Sequence, residues 1–129
     1  MEPREAVASK LKIGGEKNPK LDLIRSLAPD LVLANVEENL KDHVETLRAW
    51  GIPVFVQYPR SVVEGIRMVE ELGVVTGAEG RAGEITAELW PLYHQAERLG
   101  EARRRAGVFC PIWRNPYMTI NRDTYVHDM

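Results

Sequence analysis

Leu31-Val32-Leu33-Ala34-Asn35, then the stretch 37–49, then Gly51-Ile52-Pro53-Val54-Phe55-Val56 decide how this chain folds. The two short apolar runs read as buried strands. Between them Leu40, Val44 and Leu47 recur at i, i+4 and i+7, the spacing of one helix face. Gly51 is placed to end that helix, because glycine reaches the left-handed conformation without a steric cost. Strand, helix and strand at this spacing predict a parallel α/β unit, since parallel neighbours need a crossover connection.

Working outward, Leu11 to Gly14 predicts a short strand that ends in Gly14-Gly15. Asn18-Pro19 then opens a helix, with Asn as N-cap and Pro at the first helical position. Leu21, Ile24 and Ala28, with Leu23 and Leu27, form its apolar side, and Pro29-Asp30 ends it. Downstream, Val62, Val63, Ile66, Val69 and Leu72 predict a helix closed near Gly73. Ala82, Ile85, Leu89, Leu92, Ala96 and Leu99 then mark one long helix with a single apolar stripe. Pro91 lies inside it and is expected to kink or split it. Arg103-Arg104-Arg105 follows, where cations suit a helix C-terminus. Val108 to Ile112 predicts a strand without a later partner, Trp113 to Tyr117 an aromatic turn, and Asp123-Thr124 the cap of a last short helix.

The 129 residues are room for one domain and not comfortably for two. Seventeen Lys and Arg stand against nineteen Asp and Glu, so no basic surplus is left for a nucleic-acid backbone. No apolar run approaches the roughly 18 residues of a membrane span, so no direct membrane insertion is expected. The single cysteine, Cys110, excludes an internal disulfide and a cysteine-cluster metal site. Met1-Glu2-Pro3-Arg4-Glu5 has neither the basic region nor the apolar region of a secretion signal.

In open α/β sheets ligands sit outside the carboxyl ends of the strands. Those ends are Gly14 to Lys17, Asn35 to Asn39, Gln57 to Arg60 and Trp113 to Tyr117. The last offers a Trp, an Arg and a Tyr to a large ligand, for stacking and charged hydrogen bonds. The alternative is a Trp lid over the core beside a solvated Arg. Gly14-Gly15-Glu16-Lys17 lacks the spacing of a phosphate loop. Glu37-Glu38 are helical neighbours that do not face each other, and first-turn carboxylates are ordinary. His43, His94 and His127 lie in separate segments without ligand spacing, and Cys110 sits in an apolar strand. No catalytic or metal-binding constellation is composed, and no enzyme is expected.

Ile13-Gly14-Gly15-Glu16-Lys17-Asn18-Pro19, Leu21-Asp22-Leu23-Ile24 and Ala28-Pro29-Asp30-Leu31-Val32-Leu33-Ala34 together resemble the N-terminal lobe of a receptor family. These are the substrate-binding proteins of ATP-binding-cassette importers for cobalamin, haem and ferric siderophores, with the cobalamin-receptor-like branch nearest. Gly51 to Val56 fits the next strand of that lobe, and Val108 to Trp113 with Asn115 to Ile120 fits the first strand of the second. The resemblance implies a parallel, Rossmann-like N-terminal α/β lobe, a long connecting helix and the start of a second α/β lobe. The corresponding segments are 1–60, 61–106 and 107–129. Against the family pattern the signal or lipoprotein segment, the first strand and most of the second lobe are wanting, so a receptor truncated at both ends is expected.

The resemblance further implies a ligand cleft lined near Glu16, Asn35, Tyr58, Ile112 and Trp113, to which the aromatic turn adds Arg114 and Tyr117 as candidate contacts. No cofactor and no catalytic or metal-ligating residue is implied; the ligand itself would be cobalamin, haem or a ferric siderophore. Aromatic residues are usual in corrinoid binders where Glu16 and Asn35 stand, which leaves another chelate open. Asp22 corresponds to an acidic position, usually Glu, that docks the lobe onto permease arginines. The implied location is periplasmic, or extracellular and membrane-anchored. An exposed, truncated lobe would favour a homodimer. Two other readings stay open: a non-functional or mis-started fragment of such a receptor, and a doubly wound α/β enzyme acting on a nucleotide or sugar.

Overall fold

The computed structural model describes residues 4–103 and 107–129. The chain forms two compact units, Met1–Tyr58 and Pro59–Met129. Arg104 and Arg105 of the basic run, and Met1 to Pro3, lie outside the described residues.

The first unit contains α1 (Arg4–Ala8), α2 (Leu21–Ser26), β1 (Val32–Asn35), α3 (Lys41–Ala49) and β2 (Val54–Gln57). β1 and β2 pair in parallel, from Val32 opposite Val54 to Asn35 opposite Gln57, with α3 as the crossover. Ile24, Leu47 and Ile52 form the buried centre, against which Leu21, Val32, Trp50 and Val54 pack. α2 and α3 therefore each bring apolar residues, Leu21 and Ile24 from one and Leu47 from the other, to the core they share with Val32 and Val54 of the sheet. The Arg25 guanidinium lies 4.9 Å above the Trp50 ring, a cation–π contact that covers this core from outside.

Three local expectations change. The strand over Leu11–Gly14 is reduced to a single antiparallel bridge between Gly14 and Pro19. Asn18-Pro19 is used in that turn, so α2 begins at Leu21 with Lys20 as an N-cap that makes no side-chain bond. Gly14 has φ +109°, and a Cβ there would fall 2.6 Å from the Asn18 carbonyl oxygen, so the turn requires glycine. The next helix begins at Lys41 rather than Glu37. Asn35 Oδ1 accepts the Glu37 amide at 2.8 Å and Asn39 Oδ1 the Asn35 amide at 2.8 Å, which holds 35–39 as a turn.

The second unit contains α4 (Val62–Thr76), α5 (Glu79–Glu101), β3 (Pro111–Arg114), β4 (Tyr117–Thr119) and α6 (Tyr125–Asp128). Ser61 Oγ accepts the Glu64 amide at 3.1 Å, and Glu64 Oε2 accepts the Arg60 amide at 2.6 Å. This reciprocal cap starts α4. Asp128 Oδ2 of α6 accepts the Val62 amide at 2.8 Å and satisfies another donor of the same helix end. α4 passes through Gly73 and ends at Gly77, which takes the left-handed conformation at φ 67°. The expected stop at Gly73 is thus replaced by a close approach to α5.

α5 is one helix of 23 residues that runs through Pro91 without splitting. Pro91 has no N–H to give the Ala87 carbonyl. Side chains brace the segment: Trp90 Nε1 donates to Glu70 Oε1 of α4 at 3.3 Å, and the Trp90 and His94 rings stack with centroids 5.9 Å apart. The apolar stripe is buried only in its first half. Ala82 is buried and Ile85 and Leu89 are half-buried, whereas Leu92, Ala96 and Leu99 beyond Pro91 are exposed.

The expected lone strand at 108–112 is instead an antiparallel hairpin three residues further on. Trp113 pairs with Met118 and Arg114 with Tyr117, with a bulge between Pro111 and Trp113. The intervening Asn115-Pro116 makes the tight connection, and β4 supplies the partner that the sequence reading had not found.

Candidate functional site

The carboxyl ends of β1 and β2 carry a connected rim of polar residues in the first unit. Asn35 is the last residue of β1, opposite Gln57 at the end of β2, and the Val36 amide donates to the Gln57 carbonyl at 3.0 Å. The turn 14–19 lies beside the turn 35–39. Asn39 Nδ2 donates to the Glu16 carbonyl at 3.1 Å, while Lys17 Nζ donates to the Glu37 carbonyl and stands 3.9 Å from a Glu38 carboxylate oxygen. Glu16 and Asn35, nineteen positions apart in sequence, are thereby brought to one edge. Tyr58, the residue after β2, is exposed at the adjoining strand end. Glu37 and Glu38 belong to this turn, not to the first turn of a helix.

Three carboxylates, Glu16, Glu37 and Glu38, accompany one ammonium group on the rim. Its hydrogen-bonding surface is therefore mainly acceptor in character, with the Asn35 side-chain NH2 as a neutral donor. Among the described residues the Gln57 side-chain nitrogen is buried at this strand end and meets no hydrogen-bond acceptor. Asp22 is separate from this edge, exposed in the first turn of α2.

The remaining expected residues share the hairpin of the second unit. Trp113 and Arg114 lie on β3 and Tyr117 on β4, all exposed in strands rather than in a turn. Trp113 Nε1 donates to the Asn115 carbonyl at 3.0 Å, which fixes one edge of the indole and leaves 64% of the residue exposed. Met118 is its cross-strand partner, and Val108, Phe109 and Ile112 on the same segment are also exposed apolar residues. Such an amphipathic aromatic patch can stack on a planar or ring-bearing ligand, with Arg114 beside it as a hydrogen-bond fork.

A shallow apolar pocket of about 260 Å³ in the first unit is lined by Ile13, Ile24, Leu27, Pro29 and Leu31 to Leu33. It contains none of the expected site residues. On α5, Tyr93 donates to Glu97 at 2.7 Å and His94 Nδ1 lies 3.1 Å from the same carboxylate. The hydrogen bond from Tyr93, then that from His94, holds the Glu97 carboxyl below its usual range, and the same bond raises the Tyr93 phenol. Among the described residues no group of three His, Cys, Asp or Glu side chains could hold a metal ion.

No family model matches the chain. In sequence it is 27% identical, over 136 residues, to the uncharacterized ABC transporter substrate-binding lipoprotein YvrC of Bacillus subtilis (strain 168). That match covers 98% of this chain and 42% of the relative. In structure it is similar to the periplasmic heme-binding protein RhuT of Roseiflexus sp. RS-1, with a TM-score of 0.75 and 20% identity. The superposition takes in 98% of this chain and 50% of that one. The chain has the fold of about half of a periplasmic solute-binding protein.

An ABC transporter substrate-binding protein of Listeria monocytogenes EGD-e superposes equally well, with a TM-score of 0.75 and 17% identity. There 96% of this chain matches 48% of the other. The chain thus spans about half the length of the proteins it matches. The mixed α/β architecture and the short parallel sheet of the first unit agree with this solute-binding fold. Among the described residues no helix is long and apolar enough to cross a membrane.

Proposed function

We propose that this chain is the solute-binding part of an ATP-binding-cassette importer, which captures a metal chelate or corrinoid and delivers it to a permease. One observation carries the reading: similarity to a substrate-binding lipoprotein extends over 98% of the chain. The fold shared with a haem-binding receptor supports it and favours haem or another iron chelate over cobalamin within the ligand class. Glu16, Asn35 and Tyr58 in one unit, and Trp113, Arg114 and Tyr117 in the other, are the ligand contacts in this proposal, and Asp22 is the permease contact. The segments 1–60, 61–106 and 107–129 are its partial first lobe, its helices and the beginning of its second lobe. The site of action is periplasmic, or extracellular at a membrane anchor. Exposed Val108, Phe109, Trp113 and Tyr117 offer the surface on which two copies would associate.

The test is a titration of the chain with haemin, cyanocobalamin and a ferric hydroxamate, followed by tryptophan fluorescence. Saturable quenching by one probe is expected, lost when Trp113 and Tyr117 are both replaced by Ala. The absence of saturable binding by all three overturns the function. An unchanged titration in the double variant overturns the site.

A further inference from the structure

The two turns of the strand-end rim are fastened by side chains that cross in opposite directions. Lys17, on the turn 14–19, reaches the Glu37 carbonyl and the Glu38 carboxylate on the turn 35–39. Asn39, on the turn 35–39, reaches back to the Glu16 carbonyl at 3.1 Å. Asn39 also uses its other amide atom, since Oδ1 accepts the Asn35 amide at 2.8 Å. One side chain thereby touches the backbone of both residues proposed to meet ligand.

We infer that Lys17 and Asn39 are positioning residues, which clasp the turns 14–19 and 35–39 into one preformed rim carrying Glu16 and Asn35. Each turn on its own has only local ties: Asn18 to Gly15 and Lys20 to Ile13 in the first, Glu37 to Asn35 and Asn39 to Asn35 in the second. Those bonds shape each turn and do not join one to the other. The clasp supplies the joining bonds, and it does so through backbone carbonyls, so Glu16 keeps its carboxylate and Asn35 its side-chain NH2 for other partners. Holding two polar groups at fixed separation lowers the ordering cost of binding. What the rim captures rests on the solute-binding reading. That the rim moves as one body does not.

The two claims separate experimentally. Hydrogen exchange is measured on the full chain for the peptides 13–20, 33–40 and 44–56, in the wild type and in Asn39→Ala, Asn39→Asp and Lys17→Met. Asn39→Ala is expected to speed exchange in both rim peptides about fivefold, the size of one lost hydrogen bond, with 44–56 unchanged. Asn39→Asp keeps the acceptor for the Asn35 amide and loses the donor to Glu16, so 13–20 speeds up while 33–40 stays near wild type. Lys17→Met keeps the apolar stem and speeds both. Unchanged exchange at 13–20 in Asn39→Asp and Lys17→Met overturns the clasp. Should Asn39→Ala also lose protection at 44–56, those two milder variants decide.

Haemin and cyanocobalamin titrations of the same proteins form the second arm. Binding weakened about threefold or more in Asn39→Asp and Lys17→Met, with 44–56 still protected, supports the positioning role. Binding equal to wild type overturns it. If the wild type binds neither probe, the solute-binding reading loses its support, while the exchange data still decide whether the rim is one body.

Discussion

Gly73 of α4 lies so close to Ala82 of α5 that a methyl group on Gly73 would fall 2.4 Å from the Ala82 Cβ. This contact sets how near the two long helices approach, and both residues are buried. Ala at position 73 would gain about 0.5–1 kcal/mol of helix propensity. Overpacking at a rigid helix–helix contact costs about 1–3 kcal/mol, so the strain wins. Gly73→Ala is expected to lower the urea midpoint of the second unit, and the double variant Gly73→Ala/Ala82→Gly to recover most of the loss. Simple addition of the two single effects would show that the residues do not press on each other.

Ala28 has φ 45°, a left-handed conformation in which its Cβ is crowded. It links α2 to β1, just before Pro29. Glycine relieves the crowding, at the expense of extra freedom in the unfolded chain. The balance favours Ala28→Gly by about 0.5–1 kcal/mol, read as slower hydrogen exchange in the core peptide 44–56. Faster exchange there would mean that the Ala28 side chain contributes packing which outweighs its strain.

Glu97 ties together the exposed face of α5 beyond Pro91, accepting from Tyr93 and lying beside His94. Its carboxyl is held below the usual range by those two bonds. A carboxyl depressed on folding contributes stability that is present above its unfolded value and lost as pH falls through the folded one. The Tyr93 phenol is raised from 10.0 by the same hydrogen bond, so its contribution is present below that pH and fades above it. Glu97→Gln should therefore match wild-type stability in acid, below the carboxylate range, and fall behind as pH rises towards neutrality. Glu97 is exposed and Tyr93 only half-buried, so solvent screening keeps the separation small. Parallel pH profiles would remove the ionised carboxylate from the account.

How much of this was legible in sequence depends on whether the deciding contact is local. β1, α3 and β2 follow from apolar spacing alone, and Ile24, Val44, Leu47 and Ile52, buried as their pattern requires, come with them. Gly73 and Gly77 are equally good helix stops by residue type. Only the tertiary approach of Ala82 distinguishes the packed glycine from the terminating one. Asn35 was reachable as a candidate through the rule that ligands sit at strand ends, whereas Glu16 rests on the family resemblance, since the strand expected before it is reduced to a bridge. Lys17 and Asn39 were not reachable, because their partners are backbone carbonyls 20 and 23 residues away. β4 escaped because Tyr117-Met118-Thr119 is too short to show a period, and its strand character comes from pairing with β3.

Trp113 has two possible duties that a single Ala variant would confuse. Its Nε1 braces the hairpin connection through the Asn115 carbonyl, while its ring presents a broad exposed face. Trp113→Phe removes the brace and keeps most of the stacking surface. If stacking carries ligand capture, Trp113→Phe should bind haemin within about threefold of wild type and Trp113→Ala much more weakly, since an aromatic contact contributes about 0.5–1.5 kcal/mol beyond its buried area. Because Trp113 is itself a fluorophore, haem absorbance is the readout that treats the three proteins alike. Equal losses in Phe and Ala would assign Trp113 to the turn and move the ligand contact to Tyr117 and Arg114, its cross-strand neighbour.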